Sequence, residues 1–208
     1  MDALVEHPSD ALIVVDVQND FCPGGALSVP GGHEVVPVAN RLVERFDLIV
    51  LTQDWHPAGH SSFASSHAGR APLERIEMPY GPQTLWPDHC IPGTVGAEFH
   101  RDLDTLKASL IVRKGRNPAV DSYSAFFEND KKTSTGLAGF LRDRGARRVV
   151  LVGLATDFCV MASSLDARRE GFDVLVVEDG VRGIDVAGSL ARSWDTMAEA
   201  GVGRVRER

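Results

Sequence analysis

Short apolar runs alternate with helically spaced segments along nearly the whole chain, and this alternation constrains the fold more than any other feature. The first run, residues 11–16, is rich in β-branched residues and too short for a typical helix, so it predicts a buried strand. Between the runs, apolar residues recur every three or four positions, as they do in amphipathic helices. Similar runs recur at 48–53, 109–114, 147–152, 173–178 and, more weakly, 202–206. This pattern predicts a doubly wound α/β fold, with a mainly parallel six-stranded sheet and helices on both faces.

Length and charge restrict the possible partners. We expect the 208 residues to form a single domain over 1–208, with the Pro- and Gly-rich connection 55–108 as a lid and metal-site insertion. The net charge is −7 and no basic stripe is interleaved with aromatic residues, so we expect a small-molecule substrate and no nucleic acid. The amino-terminal residues lack the pattern of a signal peptide and no run is long enough for a membrane span, which predicts a cytoplasmic protein without a membrane partner.

Charged and nucleophilic residues stand where four of the predicted strands end. Asp16 ends the first strand, Asp54 follows the second, Lys114 ends the third, and Cys159 follows the fourth. Because ligands of doubly wound sheets bind outside the carboxyl ends of the strands, we expect these four side chains to share one site. A purely structural ion pair between Asp16 and Lys114 is the alternative, and it is compatible with catalysis.

Cys159 lies in the segment VGLATDFCV, residues 152–160, which leads from a strand into a helix. A thiol at the start of a helix near Lys114 is expected to have a lowered pKa, because the helix dipole and the ammonium both stabilise the thiolate. Backbone amides of the same turn lack helical acceptors and could receive an oxyanion. The alternative is a buried, inert thiol.

A group of metal-ligand residues follows the second strand. Asp54, His56 and His60 lie within seven positions of one another, and the segment LWPDHC adds His89. One carboxylate and three imidazoles suit Zn²⁺, Fe²⁺ or Mn²⁺ with open coordination positions. Ordinary hydrogen bonding within the loop is the alternative.

Six segments, in this order, resemble those of the nicotinamidase/pyrazinamidase branch of the isochorismatase-like cysteine hydrolases. The resemblance spans roughly residues 10 to 205. It implies an amidohydrolase of NAD salvage that converts nicotinamide, and also pyrazinamide, to the carboxylic acid and ammonia through a cysteine thioester, while a divalent metal positions the pyridine nitrogen. The segments are DVQNDFCPGGAL (16–27), TQDWHPAGHSSF (52–63), LWPDHC (85–90), VRKG (112–115), DSYSAFF (121–127) and GLATDFCV (153–160).

The resemblance also implies roles for individual residues. A cis peptide between Leu154 and Ala155 is expected to shape the oxyanion hole. One divalent ion is expected, with Zn²⁺ favoured over Fe²⁺ and Mn²⁺. The matching positions are Asp16, Lys114 and Cys159 as catalytic residues, the amides of Ala155 and Cys159 as the oxyanion hole, Phe21, Trp86 and Tyr123 as substrate-binding residues, and Asp54, His56, His60 and His89 as metal ligands.

Two other functions stay open at this point. A related hydrolase could act on another small amide or carbamoyl compound, although the histidine-rich loop disfavours this. A non-catalytic metal- or pyridine-binding protein would have no need for Asp16, Lys114 and Cys159 together. Assembly into a homo-oligomer is also left open, as is the effect of Phe158, which stands where the family more commonly has histidine beside the nucleophile.

Overall fold

A six-stranded, all-parallel sheet forms the centre of the computed structural model, which describes residues 2–208. Its strands are joined by hydrogen bonds in the order β5-β2-β1-β6-β7-β8. This arrangement confirms the predicted fold class. The described strands are β1 (Asp10–Val15), β2 (Leu48–Asp54), β3 (Arg75–Met78), β4 (Gly81–Thr84), β5 (Leu110–Lys114), β6 (Arg148–Leu154), β7 (Asp173–Arg182) and β8 (Gly203–Val205).

Helices cover both faces of the sheet. Alternate residues of β1 point to opposite faces, so that Leu12 belongs to one hydrophobic cluster and Ile13 to the other. Burial of each such side chain stabilises the folded state by about 1.5–3 kcal/mol. Helix α1 packs into the first cluster, whereas α2, α3 and α4 contribute to the second. The described α-helices are α1 (Val35–Val43), α2 (Leu137–Asp143), α3 (Met161–Arg169) and α4 (Ser189–Glu199).

The strand order reverses between β1 and β6. From β1 the chain builds outward through β2 to β5, and it then returns to the other side of β1 to continue with β6, β7 and β8. Such a reversal leaves a crevice at the carboxyl ends of the two central strands, which is where doubly wound sheets bind ligands. Asp16 directly follows β1, and the Cys159 turn follows β6. The two residues therefore flank this crevice.

The connection 55–108 lies against the carboxyl ends of the strands. It contains the antiparallel hairpin β3–β4, and its Trp86 forms a bridge with Phe63 of the same connection. The side-chain amide of Gln18, which follows β1, donates to the carbonyls of Asp54 and Ala97, each at 2.9 Å. The bond to Ala97 ties the connection to the segment that follows β1, and the bond to Asp54 ties that segment to β2. In residues 2–208, no helix has the length and apolar character that crossing a membrane would need.

Gly153 allows β1 and β6 to approach closely at the crevice. Its φ is +113°, and a Cβ placed there would lie 2.1 Å from the carbonyl oxygen of Val15. The pairing of β6 with β7 also shifts register between Leu151 and Gly153. A side chain at position 153 would therefore push apart the two strands that carry Asp16 and the Cys159 turn.

We expect Gly153→Ala to lower the free energy of unfolding by about 2–4 kcal/mol, because it adds a backbone clash to an unfavourable φ. Gly81→Ala is the matched control, since Gly81 has the same φ of +113° but open space around it. The control should lower the free energy of unfolding by only about 1–2 kcal/mol, the cost of placing a side chain at a positive φ. Urea unfolding of both variants measures the difference, and equal losses would contradict the proposed close contact.

Candidate active site and metal centre

A fully buried lysine lies at the centre of the candidate site. The side chain of Lys114 has no exposed surface, and its ammonium donates to a carboxylate oxygen of Asp54. It also donates to the carbonyl of Ser122 at 3.0 Å and to the sulfur of Cys159 at 3.5 Å. Oδ2 of Asp16 lies 2.8 Å from the same nitrogen. The strand-end residues predicted to converge thus meet around one ammonium.

The two carboxylate oxygens of Asp16 differ in their hydrogen bonding. Its Oδ1 accepts a hydrogen bond of 2.6 Å from the hydroxyl of Thr52, whose oxygen in turn accepts from the Asp16 amide at 3.1 Å. Oδ2 is in charge contact with Lys114, and no hydrogen-bond partner within residues 2–208 is assigned to this oxygen. A carboxylate oxygen of Asp16 lies within 4.8 Å of the Cys159 sulfur. Asp16 is therefore placed to accept the thiol proton.

The electrostatics of Cys159 differ from the sequence-based expectation. Burial raises the pKa of this thiol well above its usual value, and Asp16 and Asp54 raise it further, although Lys114 opposes them. Burial also raises the pKa of Asp16 despite the nearby ammonium. The expected lowering of the thiol pKa was wrong, because two carboxylates and the exclusion of water outweigh one lysine. A nucleophile in this setting needs a base.

In the part of the chain that the structure describes, the backbone beside the thiol leaves one pocket-lining residue with an unpaired amide. Leu154 and Ala155 are joined by a cis peptide, as predicted. The chain then forms a π-helical turn over Thr156–Val160, which includes Cys159, before α3 begins. Within residues 2–208, the amide of Ala155 donates no hydrogen bond. This amide is available to a ligand, and the oxyanion hole stays a prediction.

Asp54, His56 and His89 form a group of metal-ligand type. Nε2 of His56 and Nε2 of His89 each lie 3.7 Å from Oδ2 of Asp54. On the other side of each ring, Nδ1 lies 3.0 Å from the carbonyl of Gly115 in His56 and 2.8 Å from that of Pro87 in His89. A carbonyl only accepts, so each Nδ1 carries a proton, and Nε2, which faces Asp54, is the nitrogen that could bind a cation. The three donor atoms lie within 4.8 Å of one another, close enough to bind one cation together.

One pocket joins the thiol to this metal-type group. The predicted substrate-binding residues Phe21, Trp86 and Tyr123 all line it, and the indole of Trp86 donates to the Tyr123 hydroxyl at 3.1 Å. A flat ring between the thiol and the histidines would meet aromatic walls. The complete lining is Phe21, Leu27, Asp54, His56, Trp86, His89, Asp121, Tyr123, Ala155, Phe158, Cys159 and Ile184.

A family model described as the isochorismatase domain matches residues 10–206. The chain belongs to the isochorismatase family. Among curated relatives, the nicotinamidase of Acinetobacter baylyi is 52% identical over 198 residues, covering 95% of this chain and 92% of the relative. The solved Acinetobacter baumanii nicotinamidase/pyrazinamidase is 52% identical, covers 98% of each chain and has a TM-score of 0.96. The Pyrococcus horikoshii pyrazinamidase in complex with zinc is 38% identical, covers 96% of this chain and 99% of its own, and has a TM-score of 0.78.

In this isochorismatase-family chain, His60 lies in a second group of metal-ligand type, with His56 and Asp121, and not in the group formed by Asp54, His56 and His89. Its Nε2 lies 2.8 Å from the carbonyl of Asn117, and its Nδ1 accepts from the amide of Ser62 at 3.1 Å. Both ring nitrogens therefore already have partners within the protein. The His60 ring lies beside that of His56, with centroids 4.4 Å apart.

Asp121 is a buried acid at the site that sequence reasoning missed. Its Oδ1 lies 3.8 Å from Nε2 of His56 and accepts from the Ser122 amide at 2.7 Å. Its Oδ2 accepts from the side-chain amide of Gln83, also at 2.7 Å. In the segment DSYSAFF, Tyr123 and not Asp121 is predicted as a site residue. An acid at the start of a largely apolar segment could also have indicated a site residue. Asp121 adds negative charge beside the histidines.

Gly115 holds His56 in place. A Cβ at position 115 would lie 2.3 Å from Cε1 of His56, and φ is +71°. We expect Gly115→Ala to lower zinc affinity about 10–100-fold, which is typical when a contact behind a metal ligand is lost. The added methyl group would displace the His56 ring and the Gly115 carbonyl that contacts its Nδ1.

Competition with a chromophoric chelator measures this affinity. Gly145→Ala is the matched control, since Gly145 has a φ of +75° and open space around it. The control should bind zinc like the unmodified protein. Unchanged affinity in a folded Gly115→Ala variant would contradict the role assigned to Gly115.

Proposed function

We propose that this chain is a nicotinamidase, which hydrolyses nicotinamide, and also pyrazinamide, to the carboxylic acid and ammonia. The observation that carries the proposal is the single pocket lined by Cys159 on one side and by Asp54, His56 and His89 on the other. The similarity to relatives named nicotinamidase supports the choice of substrate. We further propose that the enzyme works in the cytoplasm in NAD salvage, consistent with three buried cysteines that form no disulfide.

The first step joins the thiol to the amide carbon. Oδ2 of Asp16 takes the proton of Cys159 while the sulfur forms a bond with the carboxamide carbon, and the electrons of the C=O bond move to its oxygen. The amides of Ala155 and Cys159 donate to the resulting oxyanion. Lys114 keeps Asp16 in position and offsets its charge.

The second and third steps release the two products. The C–N bond breaks as protonated Asp16 gives its proton to the departing nitrogen, so that ammonia leaves and a thioester remains. Water then adds to the thioester carbon and gives a proton to Asp16. The C–S bond breaks, the acid departs, and the proton returns to the sulfur. The same carboxylate thus serves as base and acid in turn.

We propose that Asp54, His56 and His89 hold one divalent cation, without His60. One carboxylate and two imidazoles suit Zn²⁺, Fe²⁺ or Mn²⁺ and leave positions open. When bound, such an ion would bind the pyridine nitrogen and so orient the ring, which fixes the distance between the amide carbon and the sulfur. Zn²⁺ is the ion we favour, because the similar Pyrococcus horikoshii pyrazinamidase contains it.

The protein supplies the remaining parts of the substrate site. Phe21 and Trp86 are proposed to sandwich the ring, since both are buried and line the pocket. Tyr123 is proposed as a further wall, held by its hydrogen bond from Trp86. The connection 55–108 acts as the lid in a single domain spanning 1–208, and it carries Trp86 and His89 into the site.

The covalent route is tested by Cys159→Ala. We expect release of ammonia from nicotinamide to fall at least about 1000-fold, as in other enzymes that lose a nucleophile. Zinc content should not change, because the thiol is not one of the proposed ligands. The control is Cys22→Ala, which removes another buried thiol that does not line the pocket. Normal turnover by Cys159→Ala would reject the mechanism, and no ammonia from zinc-loaded unmodified protein would reject the substrate.

The ligand set is tested by comparing His89→Ala with His60→Ala. Loss of a contact behind a ligand typically reduces metal affinity about 10–100-fold. His89→Ala removes a proposed ligand itself, so we expect it to reduce zinc affinity by more than that. His60→Ala should keep one zinc per chain, because both ring nitrogens already bond to protein atoms. Elemental analysis after dialysis against a weak chelator distinguishes the variants. Equal loss of zinc from both would restore His60 as a ligand.

A further inference from the structure

A second cavity adjoins the catalytic pocket. It is larger, with a volume of about 420 Å³ against about 20 Å³, and Leu73, Met161 and Val186 supply part of its lining. Phe158 and Tyr123 line both spaces. The side chains of Phe158 and Tyr123 therefore form a partition between the small catalytic pocket and this larger space, the outer cavity.

The two parts of this partition are held differently. The hydroxyl of Tyr123 accepts from the indole of Trp86 and from the side-chain amide of Gln83, each at 3.1 Å. Phe158 is held by packing alone, with ring centroids 4.8 Å from Trp86 and 5.7 Å from Tyr123, both in edge-to-face geometry. Removing Phe158 would open the partition while Tyr123 keeps its hydrogen bonds.

We propose that Phe158 limits the size of the amide substrate by closing the catalytic pocket toward the outer cavity. Phe158 neighbours the nucleophile, but its side chain contributes no polar atom to the chemistry. Its role is specificity: unsubstituted single-ring amides fit, whereas aromatic amides with a bulky ring substituent are excluded. With a small residue at 158, such a substituent would extend between Leu73 and Met161. This proposal rests on the proposed amidase function and adds to it the class of excluded substrates.

Phe158→Ala and the more conservative Phe158→Leu test the proposal with nicotinamides that carry a phenyl group on ring carbon 4, 5 or 6. The quantity measured is kcat/KM for each compound divided by kcat/KM for nicotinamide. In Phe158→Ala we expect this ratio to rise at least about tenfold for one or more positions, a typical effect of relieving a steric limit. Phe158→Leu should give a smaller increase, and zinc content should stay constant in both.

Phe140→Ala is the matched control, because it removes an equal side chain from α2, which does not line either space. Its ratios should equal those of the unmodified protein. Binding of the corresponding phenyl-substituted acids, measured by calorimetry, gives a readout that does not need turnover and should tighten in Phe158→Ala. If neither the ratios nor acid binding improve, the size limit is not set by Phe158. Failure of the unmodified protein to hydrolyse nicotinamide would instead overturn the proposed function.

Discussion

The ammonium of Lys114, buried without exposed surface among acidic side chains, is the interaction on which the rest of the site depends. A buried charge of this kind is tolerated only when it is paired and hydrogen-bonded, because desolvation costs several kcal/mol. Burial works against its charge, but Asp16 and Asp54 outweigh that effect and hold the pKa of Lys114 well above its usual value. Each of these acids stands at the carboxyl end of a different strand. The ammonium thus connects β5 with β1 and β2, and through its contact with Cys159 it reaches the turn after β6.

Asp54 joins the ammonium to the histidines: burial acts to raise the pKa of this carboxyl, but Lys114 and His56 together hold it well below its usual value. One oxygen of Asp54 binds Lys114, and the other faces the imidazoles of His56 and His89. The side chain is therefore shared between the thiol centre and the metal-type centre. Because Asp54 and Lys114 are also paired neighbours in the register of β2 and β5, the sheet fixes the carboxylate and the ammonium that join the two centres.

How much of this could be read from the sequence depends on whether a residue is placed by a strand or by packing. Residues at strand ends could be predicted, because the apolar runs locate Asp16 and Lys114 and the topology of the sheet brings them together. The sequence did not reveal that burial raises the pKa of Cys159, because that depends on the surrounding side chains. Asp121 was missed for a similar reason, since it reaches the histidines from an irregular segment that no periodicity describes. His60 as a ligand stays a prediction: its ring lies near His56 and Asp121, but its bonds to Asn117 and Ser62 are visible only in three dimensions.

Chemistry and selectivity are divided between different parts of this fold. The residues that move protons or face the metal-type group are fixed by charge pairs and hydrogen bonds, so that changing one disturbs its neighbours. The aromatic wall at Phe158 has only van der Waals and ring-edge contacts with Trp86 and Tyr123, and it faces open space behind. Its immediate neighbour in sequence is the nucleophile, yet no charge or hydrogen bond of its side chain joins it to the ionic cluster. If the proposed function holds, the size of the accepted amide can therefore change at that wall while the thiol, its base and the buried ammonium stay the same.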